Sequence, residues 1–328
     1  GNERHHIDLM KQMGCFPEIL REMALKIGEN PFEKDYFNMT IGSLKLAGKA
    51  NAVSKLHLRT ARQMWAWIKE ENRCPIISIT NGVDLDWQFP EFAGAVSAQE
   101  LGLAKEKHKE RLIKYVEKIT GKVFKKEVPI IVWARRFTDY KRPWLIFMDW
   151  PWLRKLLQDG KIQLIVAGKP HPNDRPAINF FNWVYEKSLE VPSLAVLAGY
   201  EYAQSRILKA GADIWLQTPR RPREACGTSW ISAIYNGAVV VSSRDGGILE
   251  IPEEFYFPFG VSSPCISEGE QDSKDYKDLT AVLKTVIGMY YNDKPRLYSK
   301  ALSAKQFVES HFGSDRMLRE YIDLMYSS

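Results

Sequence analysis

Five short runs decide the fold: PIIVWA (129–134), IQLIVAG (162–168), LAVLAGY (194–200), ADIWLQT (212–218) and GAVVVSS (237–243). Each is apolar almost without a break, where a strand with one wet face would alternate apolar and polar residues. Such runs predict strands buried on both faces, as in a parallel sheet covered by helices. Helical patterns separate them, at 143–157, 175–189, 202–209 and 224–235. Strand and helix in alternation predict a doubly wound α/β domain.

Outward from this core the pattern changes. Residues 1–74 read as helical and strand-poor: Phe16-Pro17-Glu18 opens a periodic stretch (Ile19, Leu20, Met23, Ile27) that stops at Gly28, and a second helix is expected from about 50 to 70. The α/β domain is expected over 75–260. It includes a long helix that begins at Ser97 with Glu100 three residues on, a capping-box pattern. Residues 261–328 read as a polar loop, an amphipathic helix (Leu279, Val282, Leu283, Val286, Tyr290) and a last helix from about Ser314.

The whole chain has 328 residues, 45% hydrophobic and 26% charged, a globular composition long enough for about two domains at ~150 residues each. No apolar run approaches the ~20 residues of a membrane helix, and the opening GNERHHIDLM lacks the apolar core of a signal peptide. The formal charge is +6, and the basic run KEKHKERLIK (105–114) alternates in sign, as a solvated helix face does. A nucleic-acid reader would gather its cations on one stripe. Neither a membrane nor a nucleic-acid partner is expected. Cys15, Cys74, Cys226 and Cys265 form no C-x-x-C pair, so reduced thiols and a cytoplasmic location are expected, with no metal site. Gly1 is not an initiator methionine, which suggests a processed, tagged or partial chain.

In an open α/β sheet, ligands bind beyond the carboxyl ends of the strands. After the first run come Arg135, Arg136, Lys141 and Arg142, four cations within eight residues that suit an anion. After the second come Gly168-Lys169-Pro170-His171, with a further cation. His171 reads as a loop residue. After the fourth, Thr218-Pro219-Arg220-Arg221-Pro222-Arg223-Glu224-Ala225-Cys226-Gly227-Thr228-Ser229 carries three arginines, one carboxylate and a Gly-Thr-Ser turn whose free N–H groups suit phosphate oxygens. Glu224 among cations is expected to stay ionised and to accept hydrogen bonds from sugar hydroxyls. Cys226 has no neighbouring histidine and reads as a packing residue. The chain contains no GxGxxG, no Walker A motif and no HExxH.

Asn38-Met39-Thr40, Asn51–His57, Thr80-Asn81-Gly82-Val83, Arg136–Arg142, Gly168-Lys169-Pro170 and Arg223–Ser229 occur in the order found in α-glucan (glycogen and maltodextrin) phosphorylases. The sequence resembles their archaeal-type branch over roughly residues 16–250. The resemblance implies a GT-B glycosyltransferase fold, with this chain supplying the C-terminal Rossmann-like domain, 1–74 a remnant of the N-terminal lobe, and the loop and helices of 261–328 packing back on the lobes. The rest of that lobe is then expected from the full-length protein or another chain. By the same resemblance Arg136 and Lys141 hold the donor phosphate and Glu224 binds a sugar hydroxyl. Gly227, Thr228 and Ser229 fall at the phosphate-contacting turn, beside Lys169. Asn81 matches a sugar-contacting asparagine and Tyr200 a cofactor-side tyrosine.

The family's lysine that carries pyridoxal phosphate falls at Ser232, whose hydroxyl cannot form a Schiff base, and Trp230 is bulky where the family is small. No covalent cofactor is therefore expected. The expectation is a retaining glycosyltransferase that moves a hexose from a nucleotide sugar (or sugar phosphate) to a glucan or other saccharide. A divergent phosphorylase using glucose 1-phosphate and an inactive carbohydrate-binding subunit are the alternatives.

Overall fold

The computed structural model describes residues 3–263, 265 and 267–327. It divides into two compact units, one running from Thr80 to Arg319 and the other built from the chain up to Ile79 and from Glu320 onward.

In the larger unit, β1 (Ile130–Ala134), β2 (Gln163–Ala167), β3 (Leu194–Leu197), β4 (Ile214–Gln217), β5 (Val239–Ser243) and β6 (Phe257–Phe259) form one sheet. The order is β6-β5-β4-β1-β2-β3, and every pairing is parallel. Every residue of the first five strands is buried, as continuous apolar runs require. The sixth strand, Phe257-Pro258-Phe259, was not anticipated. Its proline lacks an N–H, which only an edge position tolerates.

Along β1, Ile131 and Trp133 face one apolar cluster while Ile130, Val132 and Ala134 face the other, so helices cover both sides. These are α1 (Ala98–Thr120), α2 (Trp150–Gln158), α3 (Arg175–Glu190), α4 (Tyr202–Gly211), α5 (Ser229–Tyr235), α6 (Glu268–Asn292) and α7 (Lys294–His311). The capping box of Ser97 and Glu100 opens α1, and Gly121 closes it in the left-handed conformation (φ 70°). The helix expected from 143 begins as an isolated turn, Leu145–Phe147. Helix α2 follows only after Asp149 accepts the Trp152 N–H.

The expected start of the α/β domain at residue 75 lies within the smaller unit. The strand Ile76–Ser78 pairs in parallel with Ala50–Ala52 inside the smaller unit, so the division falls at Ile79/Thr80 rather than before residue 75. Beyond residue 260, Leu279, Leu283, Val286 and Leu297 of α6 and α7 belong to the core of the larger unit.

The smaller unit is not purely helical. Glu33–Asn38 lies between Arg4–His6 and Glu29–Asn30 in an antiparallel sheet, beside helices Arg21–Gly28, Met39–Leu46 and Lys55–Met64. The helix expected over 50–70 is limited to Lys55–Met64, because Ser54 caps it by accepting the His57 N–H and the residues before it form a strand. Among the described residues, no helix is long and apolar enough to cross a membrane.

Candidate functional site

The sheet order reverses between β1 and β4: the chain winds outward through β2 and β3, then returns to β4 on the other side of β1. A crevice opens at the carboxyl ends of strands flanking such a reversal. The loops leaving β1 and β4 are tied together there. Thr218 Oγ1 accepts from Trp133 Nε1 (2.9 Å) and donates to the Lys141 carbonyl (2.7 Å), and Arg220 N donates to the Tyr140 carbonyl (2.6 Å).

Arg142, fully buried, fastens this junction from behind. Its guanidinium donates to the Thr218 and Pro219 carbonyls and to Asp272 and Asp275 of α6 (2.9 and 2.7 Å). Arg220 pairs with Asp272 and Asp139. These two cations are therefore neutralised by carboxylates.

The others are not neutralised one for one. Lys141 Nζ donates to Glu224 Oε2 at 2.9 Å, and Arg135 Nη1 stands 3.6 Å from the same oxygen. Arg135 Nη2 donates to Ser229 Oγ (3.4 Å), which also accepts from Gln217 Nε2 (2.8 Å). Arg135, Lys141 and Glu224 are all buried, so two cations share one carboxylate away from solvent. Among the described residues, Arg135 Nε and Nη1 have no hydrogen-bond acceptor. Burial, then the neighbouring Arg135, pushes the Lys141 pKa down to about 8. A buried site with surplus positive charge and idle guanidinium donors is built for an anion.

Glu224 is held by its backbone: its N–H donates to Asp245 Oδ2 (2.8 Å), while Oδ1 accepts from Gly246 N (2.9 Å). Burial raises the Asp245 pKa to about 7. Gly246 adopts φ 71°, and a Cβ there would meet the Cys226 carbonyl at 2.9 Å and Glu224 Cγ at 3.0 Å. Burial pushes the Cys226 thiol up to about 12, in keeping with a packing residue.

The other expected residues divide by position. Arg136 is exposed, since consecutive residues of an extended chain point to opposite sides, and it hydrogen-bonds Tyr140. Lys169 is also exposed. Tyr200 is half-buried, donates to Ser205 Oγ (2.7 Å) and lies within the field of Arg135. The Asn81 backbone N–H points at the Cys226 sulfur, which brings this residue to the Glu224–Gly227 loop. Gly227 takes φ 68°, directly before Thr228 and Ser229. His171 Nδ1 accepts from Asn173 N within its own loop.

A cavity of about 220 Å³ lies beside this loop, lined by Trp87, Tyr202, Arg206, Lys209, Thr228 and Ser232 among others. Lys209, like Gln217 and Asp245, was not singled out from sequence, and Arg135 was read only as one of four cations after the first strand. The available signal was spacing: Tyr202, Ser205, Arg206 and Lys209 stand at i, i+3, i+4 and i+7, one face of α4. A second cavity, of about 510 Å³, lies in the smaller unit and includes Thr40, Asn51, His57 and Trp65. There His57 Nδ1 accepts from Val53 N, and burial lowers its pKa. Among the described residues, no group of three or more His, Cys, Asp or Glu is arranged to hold a metal ion.

Comparison with known proteins adds relatives to this geometry. Residues 91–294 match the family described as carbohydrate phosphorylase. An uncharacterized protein of Methanocaldococcus jannaschii is 38% identical over 99% of this chain and 62% of its own length. A glycogen phosphorylase of Aquifex aeolicus is 30% identical over 93% of this chain and 51% of its own. A maltodextrin phosphorylase of Thermococcus litoralis is 30% identical over 100% and 45%. The chain thus spans between under half and under two thirds of the length of these relatives.

Proposed function

The chain belongs to the carbohydrate phosphorylase family, and from that premise we propose that it serves retaining hexosyl transfer between a phosphate-bearing donor and a glucan or similar saccharide. The observation that carries this reading is the buried trio of Arg135, Lys141 and Glu224, in which two cations face one carboxylate. When a glycosidic bond to phosphate breaks, negative charge grows on the departing phosphate oxygen. Fixed cations in a dry site stabilise that charge without reorganising, an effect worth several kcal/mol. Arg135 and Lys141 supply those charges. Glu224, its backbone anchored on Asp245, presents a carboxylate to the sugar hydroxyls and orients the ring.

Two donors suit this site, and one observation favours each. Ser232 at the cofactor-lysine position favours a nucleotide sugar, whose diphosphate would take the place of two separate phosphates. Lys209 in the same cavity favours a sugar 1-phosphate with pyridoxal phosphate beside it. The residues present fit that group in part: the idle donors of Arg135 suit its phosphate, and an amine reaches the cavity, although not from position 232. When bound, pyridoxal phosphate supplies a second phosphate next to that of the substrate. Arg135 and Lys141 would hold these phosphates, and Thr228, Ser232 and Lys209 line the neighbouring cavity.

The test is transfer to maltooligosaccharides from nucleotide sugars and from glucose 1-phosphate, with donor binding followed by calorimetry. Arg135→Ala and Lys141→Ala should each remove transfer while the circular dichroism spectrum is kept. Transfer that survives both substitutions would show that the cluster is not the site.

A further inference from the structure

We propose that Lys209, which lines the same cavity as Ser232 of α5, is an aldehyde-accepting lysine, the attachment point for a phosphorylated aromatic aldehyde of the pyridoxal phosphate class. The proposal rests on the reading of the Arg135–Lys141–Glu224 cluster as a phosphate site, and adds to it a residue from another element.

The geometry points there in three ways. First, Lys209 and Ser232 line one cavity, so a lysine on α4 reaches the space that a lysine at position 232 would enter from α5. Second, Lys209 has no hydrogen-bond or ion-pair partner among the described residues. Buried lysines elsewhere in this unit are engaged: Lys105 with the Ala210 and Ala212 carbonyls, Lys109 with Asp213 and Tyr290, and Lys141 with Glu224. Third, the cavity suits one substituted ring. Trp87 and Tyr202, with ring centroids 5.1 Å apart, form an aromatic wall. Thr228 lines the cavity and directly precedes Ser229, the acceptor of Arg135, whose Nε and Nη1 have no acceptor among the described residues.

The chemistry needs a neutral amine. Lys209 is half-buried by surface area, and the protein around its ammonium lowers its pKa to about 8, which leaves a sizeable neutral fraction near neutrality. The free amine adds to the aldehyde carbon, and a proton passes from nitrogen to the former carbonyl oxygen. The second nitrogen proton follows as the carbon–oxygen bond breaks, that oxygen leaves as water, and a C=N bond remains. Nothing is oxidised or reduced.

Pyridoxal 5′-phosphate is the probe. The protein is incubated with it, the absorbance of the C=N chromophore is recorded, the bond is fixed with borohydride, and the labelled lysine is mapped by peptide mass. One label per chain at Lys209 is expected, with the chromophore lost in Lys209→Gln and its yield reduced several-fold by excess inorganic phosphate. In the double variant Lys209→Gln/Ser232→Lys the label should move to position 232, which shows that the cavity is intact when Lys209 is gone. Labelling scattered over surface lysines, or a chromophore that persists in Lys209→Gln, overturns the proposal. Absence of any adduct, with transfer from a nucleotide sugar still dependent on Arg135 and Lys141, overturns it and leaves the phosphate site standing. A label at Lys209 without hexosyl transfer supports the lysine and sinks the transfer reading.

Discussion

Lys141 Nζ and Glu224 Oε2 lie 2.9 Å apart, joining two loops that are 83 residues apart in sequence but leave neighbouring strands. With Arg135 facing the same oxygen, Glu224 is the carboxylate that keeps two buried cations tolerable. Glu224→Ala should therefore destabilise the larger unit by about 3 kcal/mol or more, the scale of leaving buried charge uncompensated. Inorganic phosphate should recover part of that loss, and should raise the unfolding midpoint of the variant more than that of the parent. Equal shifts in both proteins would mean that no anion replaces the carboxylate.

The charge on Lys141 sets a pH limit. With its pKa near 8 in the folded protein, well below the ordinary lysine value, the residue is cationic below that pH and neutral above it. Affinity for phosphate or a phosphate-bearing donor should then decline as pH rises through about 8. Lys141→Arg keeps its charge throughout this range and should flatten the decline. Calorimetric titrations at several pH values give the answer directly.

Asp245 makes stability, rather than affinity, fall with rising pH. Its pKa is raised from 3.8 to about 7, so between these values the folded protein holds a proton that the unfolded chain has released. Stability must fall as pH rises from about 4 to 7, with a slope of up to ~1.4 kcal/mol per pH unit from this group. Asp245→Asn should remove that part of the slope. It should also loosen Glu224, because an amide has one acceptor oxygen where Asp245 uses two, one for the Glu224 N–H and one for the Gly246 N–H. Denaturation curves across this range, for parent and variant, measure both effects.

Five of the six strands of the sheet were legible because burial on both faces leaves an unmistakable run of apolar residues. The loops were legible as sources of cations, but not which cation turns inward. Arg135 and Arg136 are chemically the same residue, and only the direction of the chain after Ala134 buries one and exposes the other. Asp245 escaped notice because it acts on a backbone N–H twenty-one residues away, and Lys209 because one lysine on an amphipathic helix looks solvated. In the smaller unit, short strands such as Ala50–Ala52 carry too few residues to show a period of two, and their neighbours' helical spacing conceals them.

Gly168 offers a test of how closely the loop geometry governs the site. It follows β2 with φ 149°, and a Cβ there would come within 2.1 Å of the Arg135 carbonyl oxygen, a backbone atom that cannot swing aside. The parallel strands β1 and β2 bring the two backbones together at this point: Arg135 N donates to the Ala167 carbonyl at 3.0 Å. Gly168→Ala must therefore push the Arg135 peptide away from β2, by a distance that matters for a guanidinium aimed at one carboxylate oxygen. The expected result is a loss of stability of about 1–3 kcal/mol from strain and overpacking, together with phosphate affinity reduced at least tenfold. Gly199→Ala serves as the comparison, because that glycine also has positive φ (72°) but has nothing within 4 Å of an added Cβ. It should lose stability alone. If both variants lower affinity equally, the position of the Arg135 backbone does not control anion binding.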